Sequence, residues 1–376
     1  MKLLYLVNQR LPTEKAYGRQ IANMCSNFAR LPGVELELIY PTRQNLIKDD
    51  FIEYFEIKEI LKVTKIKSPD FHLPETFEIF AFVIKNLISA LILTRAVLKR
   101  DVDIIYSRDE LSLLFLSYFK KNLFFEAHRY SNARTFLYKR LKKSGVKIVT
   151  ITNALKAAFI KTGFDPKNIL VAPDGVNLSY FDLGLSLEGA RERVGLPMDK
   201  KIVLYAGQLF PWKGADVIAL IAEKMPDCLF VFVGGMAEYI ENFKARYALL
   251  KNVLILGQKL HRDIPYYLKS ADVLILPNKK DGSISEFYTS PLKLFEYMAS
   301  GRPIIASDVS STREILNESN SILFESENQS SLVTAIKRVF EDSDLAIRIS
   351  EQALSDVRKY TWDTRAKNIL TFIQKK

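Results

Sequence analysis

KIVLYAGQLFPWKGADVIALIAEK (residues 201–224) repeats the layout of KLLYLVNQRLPTEKAYGRQIANMC (residues 2–25). Each copy contains an apolar strand, a glutamine, a loop with a proline and a lysine, a glycine and an amphipathic helix. Strand-like runs continue to alternate with helical patterns after both copies, which is typical of βαβ units in a doubly wound parallel sheet. The sequence therefore predicts an α/β fold with two Rossmann-like sheets.

The length of the chain also indicates two domains. At 376 residues the chain exceeds the size at which a single core usually keeps growing. We expect an N-terminal domain over residues 1–178, completed by a C-terminal helix at about 357–376, and a second domain over residues 179–356. Parallel sheets bind ligands at the carboxyl ends of their strands, so the expected site is a central cleft that both domains face.

Positive charge is concentrated in the N-terminal half. Residues 1–176 hold 28 Lys and Arg against 18 Asp and Glu, whereas residues 177–376 hold 26 against 25. Such a field favours anionic membrane surfaces, nucleic acid or phosphorylated substrates. The sequence has no helix-turn-helix, zinc-finger or aromatic stacking pattern, so we expect no nucleic-acid partner.

Cysteine content indicates a reducing compartment. Cys25 and Cys228 are the two cysteines, and both lie in apolar surroundings, which argues against a disulfide framework or a metal site. The first residues, MKLLYLVNQ, form an apolar run too short for a signal peptide. We therefore expect a cytoplasmic protein.

Residues 79–93, IFAFVIKNLISALIL, are the most apolar stretch of the chain. Lys85 and Asn86 interrupt it, and it is shorter than the roughly 20 apolar residues of a membrane-spanning helix. A buried helix is the preferred interpretation, and a membrane-docking face is the alternative.

Residues 283–308, SISEFYTSPLKLFEYMASGRPIIASD, read as a loop, a helix start and a strand. Ser290 is the predicted N-cap and Gly301 the predicted end of the helix. A helix N-terminus attracts phosphate. Lys293 and Glu296 share one face of this helix, and a carboxylate accepts hydrogen bonds from a ribose diol. Nucleotide binding is the resulting hypothesis.

Other candidate ligand-binding residues follow predicted strands. Gly18 and Lys213 precede the helices of the two repeated units, while Arg108, His128 and Arg129 follow strands of the first domain. Each residue also has a structural interpretation: a turn glycine, a solvated lysine, surface arginines and a structural histidine. Their joint placement at strand ends favours a ligand site.

Five motifs together resemble one enzyme family. The sequence resembles the retaining GT-B glycosyltransferases of family 4, also called glycosyl transferases group 1. The resemblance implies two Rossmann-like domains, a nucleotide-sugar donor on the second, an acceptor on the first and no obligatory metal or other cofactor. The motifs are APDGVNLSYF (172–181), LYAGQLFPWKGADV (204–217), FVGG (232–235), LGQKLHRDIPYYLKSADVLILP (256–277) and SPLKLFEYMASGRPIIASDVSSTREIL (290–316).

The resemblance also assigns roles to single residues. Glu296 matches the glutamate that holds the donor ribose, Lys213 matches the lysine that meets the diphosphate, and His128 matches the histidine that faces the donor sugar. His128 and Lys213 are thus the expected catalytic residues. The remaining expected site residues are Gly18, Gln208, Ser290, Leu292 and Lys293 for the donor, and Arg108 and Arg129 for the acceptor.

Two positions depart from the family pattern. Gln208 stands where the family usually has an arginine, and Tyr288 stands where it commonly has a first glutamate. Glutamine donates a hydrogen bond but supplies no charge. We hypothesise that Lys293 supplies the missing charge and that Glu286 reaches the sugar.

The sequence thus predicts a retaining, hexosyltransferase-type enzyme. Its expected substrates are a UDP- or GDP-sugar and a glycan or lipid-linked acceptor in cell-surface polysaccharide or glycolipid synthesis. The basic first domain leads us to expect a peripheral position on the inner face of the cell membrane. A catalytically weak GT-B scaffold or binding subunit and a GT-B nucleotide-sugar epimerase are the alternatives.

Overall fold

The computed structural model describes residues 1–71, 74–280, 287 and 290–375, and the chain divides into two compact units. Unit 1 comprises Met1–Pro173 and Trp362–Lys376, and unit 2 comprises Asp174–Thr361. The observed boundaries are displaced from the predicted ones at 178 and about 357. The reason is a parallel bridge between Val176 and Thr361, which holds both crossing segments within unit 2.

Unit 1 is built from alternating strands and helices. In chain order its strands are β1 (Lys2–Leu6), β2 (Glu35–Pro41), β3 (Lys62–Ile66), β4 (Ile104–Ser107), β5 (Leu123–Ala127), β6 (Lys147–Thr150) and β7 (Ile169–Val171). The helices between them are α1 (Ala16–Arg30), α2 (Phe51–Tyr54), α3 (Glu78–Leu98), α4 (Glu110–Leu116), α5 (Thr135–Lys143) and α6 (Asn153–Lys161).

Unit 2 repeats this plan. Its strands are β8 (Lys201–Ala206), β9 (Cys228–Val233), β10 (Val253–Gly257), β11 (Val273–Leu276), β12 (Ile304–Ser307) and β13 (Ile322–Phe324). Its helices are α7 (Leu187–Val194), α8 (Ala215–Leu220), α9 (Ala237–Tyr247), α10 (Ile264–Lys269), α11 (Leu292–Ser300), α12 (Ser310–Arg313), α13 (Gln329–Glu341) and α14 (Ser343–Asp356). The chain then returns to unit 1 as α15 (Trp362–Gln374).

Both sheets are parallel and have the doubly wound strand order. The first sheet runs β3-β2-β1-β4-β5-β6-β7 and the second runs β10-β9-β8-β11-β12-β13. Tyr5 of β1 pairs with Leu38 and Tyr106, and Val203 of β8 pairs with Phe230 and Val273. The repeated segments at 2–25 and 201–224 thus begin with β1 and β8, the strands at which the strand order of each sheet reverses. This architecture binds ligands at that point.

Helices cover both faces of the first sheet. Apolar residues of α3, α4 and α5 share one core with the strands, while α1 packs against α15 on the other side. The buried faces of β4, β5 and β6 are almost continuous apolar runs, as expected for strands covered on both sides. The predicted α/β architecture is confirmed. Strand β13 was not predicted.

The helix predicted from Ser290 onward begins differently from the prediction. Leu292 is its first residue and Pro291 precedes it, whereas Ser290 does not cap it. The Ser290 hydroxyl oxygen instead accepts a hydrogen bond from the Asp174 N–H at 2.9 Å. Gly301 ends the helix as predicted, in the left-handed conformation with φ of 67°.

The apolar stretch at 79–93 forms a helix, but the preferred prediction that this helix is buried is wrong. α3 has 21 residues, and it is long and apolar enough to cross a membrane by length and composition. Only 39% of its most apolar window is buried. In the first half of α3, small and polar side chains face the interior, and most of the large apolar side chains are exposed.

A buried arginine binds the segments that precede β8 and β11 of the second sheet. Arg191 of α7 donates hydrogen bonds to the carbonyl oxygens of Ser270 and Met198, both at 3.1 Å, and to the Asp272 carboxylate at 2.6 Å. We predict that Arg191→Met lowers the free energy of unfolding by about 3 kcal/mol, because it leaves these acceptors without their donor.

Urea denaturation followed by circular dichroism tests this prediction. Arg348→Met, on the exposed side of α14, is the matched control and should change the stability by less than about 0.5 kcal/mol. Equal stability of the two variants would contradict the structural role of Arg191.

Candidate functional site

Unit 2 gathers polar groups at the carboxyl edge of its sheet. Gln208 follows β8 and Asn278 follows β11, the two strands between which the strand order reverses. The N-terminus of α11 begins at Leu292. The amides of a first helical turn have no acceptor within their helix, so they are available to an anion.

Two glycines let the backbone of this edge pack closely. A Cβ atom on Gly214 would lie 1.9 Å from the carbonyl oxygen of Pro277, and Gly214 has a φ of +76°. A Cβ atom on Gly234 would lie 2.6 Å from the carbonyl oxygen of Gly207. The loops after β8, β9 and β11 therefore meet with almost no side-chain volume between them.

A buried lysine lies beneath these loops. Lys293 of α11 is 9% exposed, and its Nζ atom lies 4.0 Å from the centre of the Tyr205 ring. Among the described residues, the Lys293 Nζ, the Gln208 Oε1 and both amide atoms of Asn278 are buried without a hydrogen-bond partner. Buried polar atoms are nearly always paired, so this cluster indicates a ligand with its own donors and acceptors.

Lys213 adds a second cation to the cluster. Burial lowers the pKa of Lys213 to about 8, and its Nζ atom lies 4.0 Å from the centre of the Trp212 ring. Burial also lowers the pKa of Lys293 well below its usual range, and the nearby charge on Lys213 lowers it further. Two like charges held together in this way favour an anionic ligand.

Glu296 lies one turn beyond Lys293 on α11. Its Oε1 atom lies 3.2 Å from the Nε2 atom of His261, and its side chain is 17% exposed. The resemblance also implies that the loop 258–262, which contains His261, lies against the nucleotide base. The Glu296 carboxylate therefore lies beside that loop and keeps part of its surface accessible.

Part of the segment before α11 lies outside the described residues. Ser290 is tied to the Asp174 backbone, as described above, and Leu292 is the first residue of the helix. Glu286 and Tyr288, the positions at which the sequence departs from the family pattern, lie outside the described residues.

Unit 1 contains a second polar cluster, centred on Glu126 at the end of β5. The Glu126 side chain is fully buried, and its Oε1 atom accepts hydrogen bonds from Gln20 at 2.6 Å and Arg365 at 2.6 Å. The Nε2 atom of His128 lies 2.9 Å from the same oxygen, and Tyr5 donates to Oε2 at 3.2 Å. Burial alone would raise the pKa of Glu126, but Arg365 and His128 hold it well below its usual value.

This network sets the state of His128. Burial, reinforced by the charge of Arg108, lowers the pKa of His128 to about 4. The ring is therefore neutral near pH 7. Because an ionised Glu126 can only accept, the proton of the neutral ring lies on Nε2 and leaves Nδ1 as an acceptor.

The other predicted residues of unit 1 have separate surroundings. Arg108 donates to the Gln20 side chain at 2.6 Å and so joins the Glu126 cluster, whereas Arg129 is exposed. Gly18 lies in the first turn of α1, where a Cβ atom would lie 2.6 Å from the Thr13 side chain. Packing therefore explains this glycine, and its predicted role in donor binding stays a prediction.

Sequence reasoning missed several members of these clusters. Glu126 carried a signal, since a carboxylate inside the apolar strand LFFEAH needs a partner. Gln20 and Asn278 carried no comparable signal. Arg365 is separated from Glu126 by 239 residues, so their pairing was not predictable from local sequence.

A search for metal ligands within the described ranges found no group of three or more His, Cys, Asp or Glu that could hold a metal ion. Cys25 and Cys228 are both free and buried.

Comparison with known sequences gives a family match in unit 2. Residues 188–356 match the family described as Glycosyl transferases group 1. The chain is 30% identical over 217 residues to the UDP-Gal:alpha-D-GlcNAc-diphosphoundecaprenol alpha-1,3-galactosyltransferase of Escherichia coli, an alignment that covers 54% of each protein. The chain thus spans about half the length of the curated relatives it matches.

Solved structures resemble the whole chain. A glycosyltransferase from Rickettsia africae has a TM-score of 0.77 at 20% identity and covers 99% of this chain, which covers 97% of that protein. Anabaena HepE in complex with UDP and glucose has a TM-score of 0.75 at 17% identity, with 100% of both chains covered. At these identities the likeness shows the fold, and the predicted GT-B architecture is confirmed.

The electrostatic account of His128 makes a direct prediction. Replacing Arg108 by Met should raise the pKa of His128 from about 4 towards the ordinary histidine value of about 6.5, because a neighbouring positive charge is removed. Titration of the histidine ring protons by NMR measures the shift, and a His128→Gln variant assigns the resonance.

Arg129→Met is the matched control, since it removes an exposed and solvent-screened charge next to the same histidine. An unchanged midpoint in Arg108→Met would refute the account. The lowered pKa also predicts that the folded protein loses stability as the pH falls from about 6.5 to about 4, since the unfolded chain binds the proton first.

Proposed function

We propose that this protein transfers a sugar from a nucleotide-sugar to a glycan or lipid-linked acceptor, because residues 188–356 match the family described as Glycosyl transferases group 1. The observation that carries this proposal is the cluster of buried, unpartnered polar atoms at the carboxyl edge of the second sheet. Among the described residues that cluster comprises Lys293, Gln208 and Asn278. A nucleoside diphosphate offers the negative charge and the hydrogen-bonding groups that these atoms lack.

The two lysines are proposed to bind the diphosphate. Lys213 and Lys293 lie within electrostatic range of each other, and burial weakens the hydration of both. Charge accumulates on the leaving diphosphate as the sugar departs, so fixed cations stabilise the transition state more than the ground state. Lys293 thereby takes over the role of the family arginine that is replaced here by Gln208. We propose that these lysines make a metal ion unnecessary.

Glu296 is proposed to hold the ribose. Its carboxylate has accessible surface and already contacts His261 at 3.2 Å, which leaves further acceptor sites for the two ribose hydroxyls. Uridine is the proposed nucleoside, because the E. coli relative is named for UDP-Gal and the HepE structure contains UDP.

His128 is proposed to orient the donor sugar. A neutral ring with a free Nδ1 accepts a hydrogen bond from a sugar hydroxyl, and the Glu126 contact fixes its orientation. In a retaining transfer the bond from the anomeric carbon to the phosphate oxygen breaks on the face at which the acceptor oxygen bonds. The acceptor proton then passes to the departing phosphate.

The proposed acceptor is a lipid-linked intermediate used in cell-surface polysaccharide synthesis, by analogy with the diphosphoundecaprenol substrate in the name of the E. coli relative. The basic charge of residues 1–176 supports a position at an anionic membrane surface on the cytoplasmic side. Arg108 and Arg129 are the proposed acceptor contacts in unit 1.

Variants of the donor site test the proposed function. With a panel of UDP- and GDP-sugars, Lys213→Ala should lower kcat/KM about 100-fold or more through loss of leaving-group stabilisation. Glu296→Ala should lower it about tenfold, mainly through KM, because a ribose contact forms in both the ground and transition states. Lys337→Ala on the exposed side of α13 is the control, and a chelator should leave the rate unchanged.

Near-normal kcat/KM in Lys213→Ala and Glu296→Ala would remove the site assignment. Turnover with none of the sugars, together with tight binding of a protein partner, would instead favour a scaffold subunit.

The lowered pKa of Lys213 predicts how donor affinity changes with pH. Deprotonation of Lys213 above about pH 8 removes one of the charges that attract the diphosphate, so affinity for UDP should fall more steeply above pH 8 than below it. Calorimetry between pH 7 and 9 measures this, since the terminal phosphate of UDP is ionised throughout that range. In Lys213→Met the break near pH 8 should disappear; a break of the same size in this variant would contradict the prediction.

A further inference from the structure

In the first half of α3 the small and polar side chains face the protein interior, and the large apolar side chains face solvent, which is the reverse of an ordinary amphipathic helix. Ala81, Lys85 and Ser89 face the interior of unit 1 and are at most 6% exposed. The large apolar side chains face solvent. They form what we call the apolar ridge: Ile79 (82% exposed), Phe80 (62%), Phe82 (62%), Val83 (56%) and Leu87 (41%). Exposed apolar patches of this kind mark interaction surfaces.

Polar contacts hold the helix in this orientation. The Lys85 Nζ lies 3.6 Å from the Asp70 carboxylate and 3.9 Å from that of Glu78. The Ser89 hydroxyl accepts a hydrogen bond from Arg43 at 2.9 Å. Rotating the apolar ridge inward would break these pairs and leave buried charges without partners. The polar contacts of Lys85 and Ser89 within unit 1 therefore keep the apolar ridge exposed.

The ridge projects past the ligand-binding edge of the sheet. The Asn8 side chain, just beyond the carboxyl end of β1, donates to the Asn86 carbonyl oxygen at 3.2 Å. Arg100, just after the other end of α3, contacts Glu37 near the start of β2 at 3.1 Å. Since α3 rises about 31 Å over its length, residues 78–85 extend beyond the carboxyl edge where an acceptor is expected.

Positive charge lies in the same helical layer as the ridge. Helix α5, TFLYKRLKK, carries four basic residues and no acidic residue. Lys139, Lys142 and Lys143 are exposed, and Phe136 beside them is 68% exposed. The guanidinium of Arg140 lies 3.9 Å from the centre of the Tyr118 ring. Helix α4 packs between α3 and α5, so the apolar ridge and the basic helix belong to one helical layer on the same face of the sheet. Such a layer matches the chemistry of an anionic bilayer surface.

We propose that the apolar ridge inserts into the interface of a bilayer containing anionic lipids while the lysines of α5 contact lipid headgroups. The ion pairs of Lys85 keep the opposite face of α3 in unit 1, so α3 lies on the bilayer rather than crossing it. This inference deepens the proposed function, on which it rests for the identity of the acceptor, and it places the acceptor edge at the lipid surface. Membrane binding itself is measured separately from sugar transfer.

Vesicle flotation with the full chain tests the proposal. Vesicles are made from phosphatidylcholine alone or mixed with phosphatidylglycerol. The wild type should bind the anionic vesicles, and Phe80→Ser with Phe82→Ser should lower the partition coefficient about tenfold or more. Lys139→Glu with Lys142→Glu should lower binding to anionic vesicles by a similar factor and remove its sensitivity to salt.

Matched controls lie in unit 2. Leu249→Ser removes a side chain that is 94% exposed, and Lys337→Glu reverses an exposed charge; neither should change vesicle binding. Circular dichroism and the UDP-induced thermal shift, both equal to wild type, show that the unit 1 variants are folded and that unit 2 is intact.

Three results would overturn the proposal. They are a wild type that does not float, equal flotation of the wild type and the Phe80/Phe82 variant, and a stable dimer in analytical ultracentrifugation that the same substitutions split. The last result would identify the ridge as an interface between copies of the chain. Vesicle binding without turnover of any nucleotide-sugar would refute the proposed function and leave the membrane surface standing.

Discussion

The cost of burying a charge shapes the ligand-binding edge of each sheet. In unit 1 the buried carboxylate of Glu126 is offset by Arg365, Gln20, Tyr5 and His128. In unit 2 the buried ammonium of Lys293 has no hydrogen-bond partner within the described ranges, and its charged neighbour Lys213 has the same sign. The charge of Glu126 is therefore compensated within unit 1, whereas Lys293 in unit 2 gains a partner from an anionic ligand. Such a preformed cationic site needs no reorganisation when negative charge develops.

Arg365 links the buried Glu126 carboxylate to two separate segments of unit 1. It comes from α15, the helix that returns to unit 1 after the whole of unit 2, and it donates to the carbonyl oxygens of Ala172 and Pro173 as well as to Glu126. Glu126 in turn holds the ring of His128. One buried side chain thus ties both segments of unit 1 to the histidine, and α15 is a structural part of that cluster.

Charge also overrides hydrophobicity in α3. Apolar burial would favour turning Phe80 and Phe82 inward, yet the pairs made by Lys85 and Ser89 occupy that face. A buried ion pair that loses one partner costs several kcal/mol, which is comparable to the gain from burying one or two aromatic side chains. The helix therefore retains its polar contacts and presents apolar side chains at its surface.

The sequence by itself determined the two parallel sheets and the segments that begin them, because strand and helix periodicity and turn residues act over short distances. It also identified Lys213, Lys293 and Glu296 as donor-site candidates, since they sit in motifs at helix starts. Only the tertiary structure decided which charges are compensated, because Arg365 meets Glu126 across 239 residues and His261 meets Glu296 across 35. It likewise decided which side of α3 faces solvent, because that depends on partners contributed by distant loops after β2 and β3.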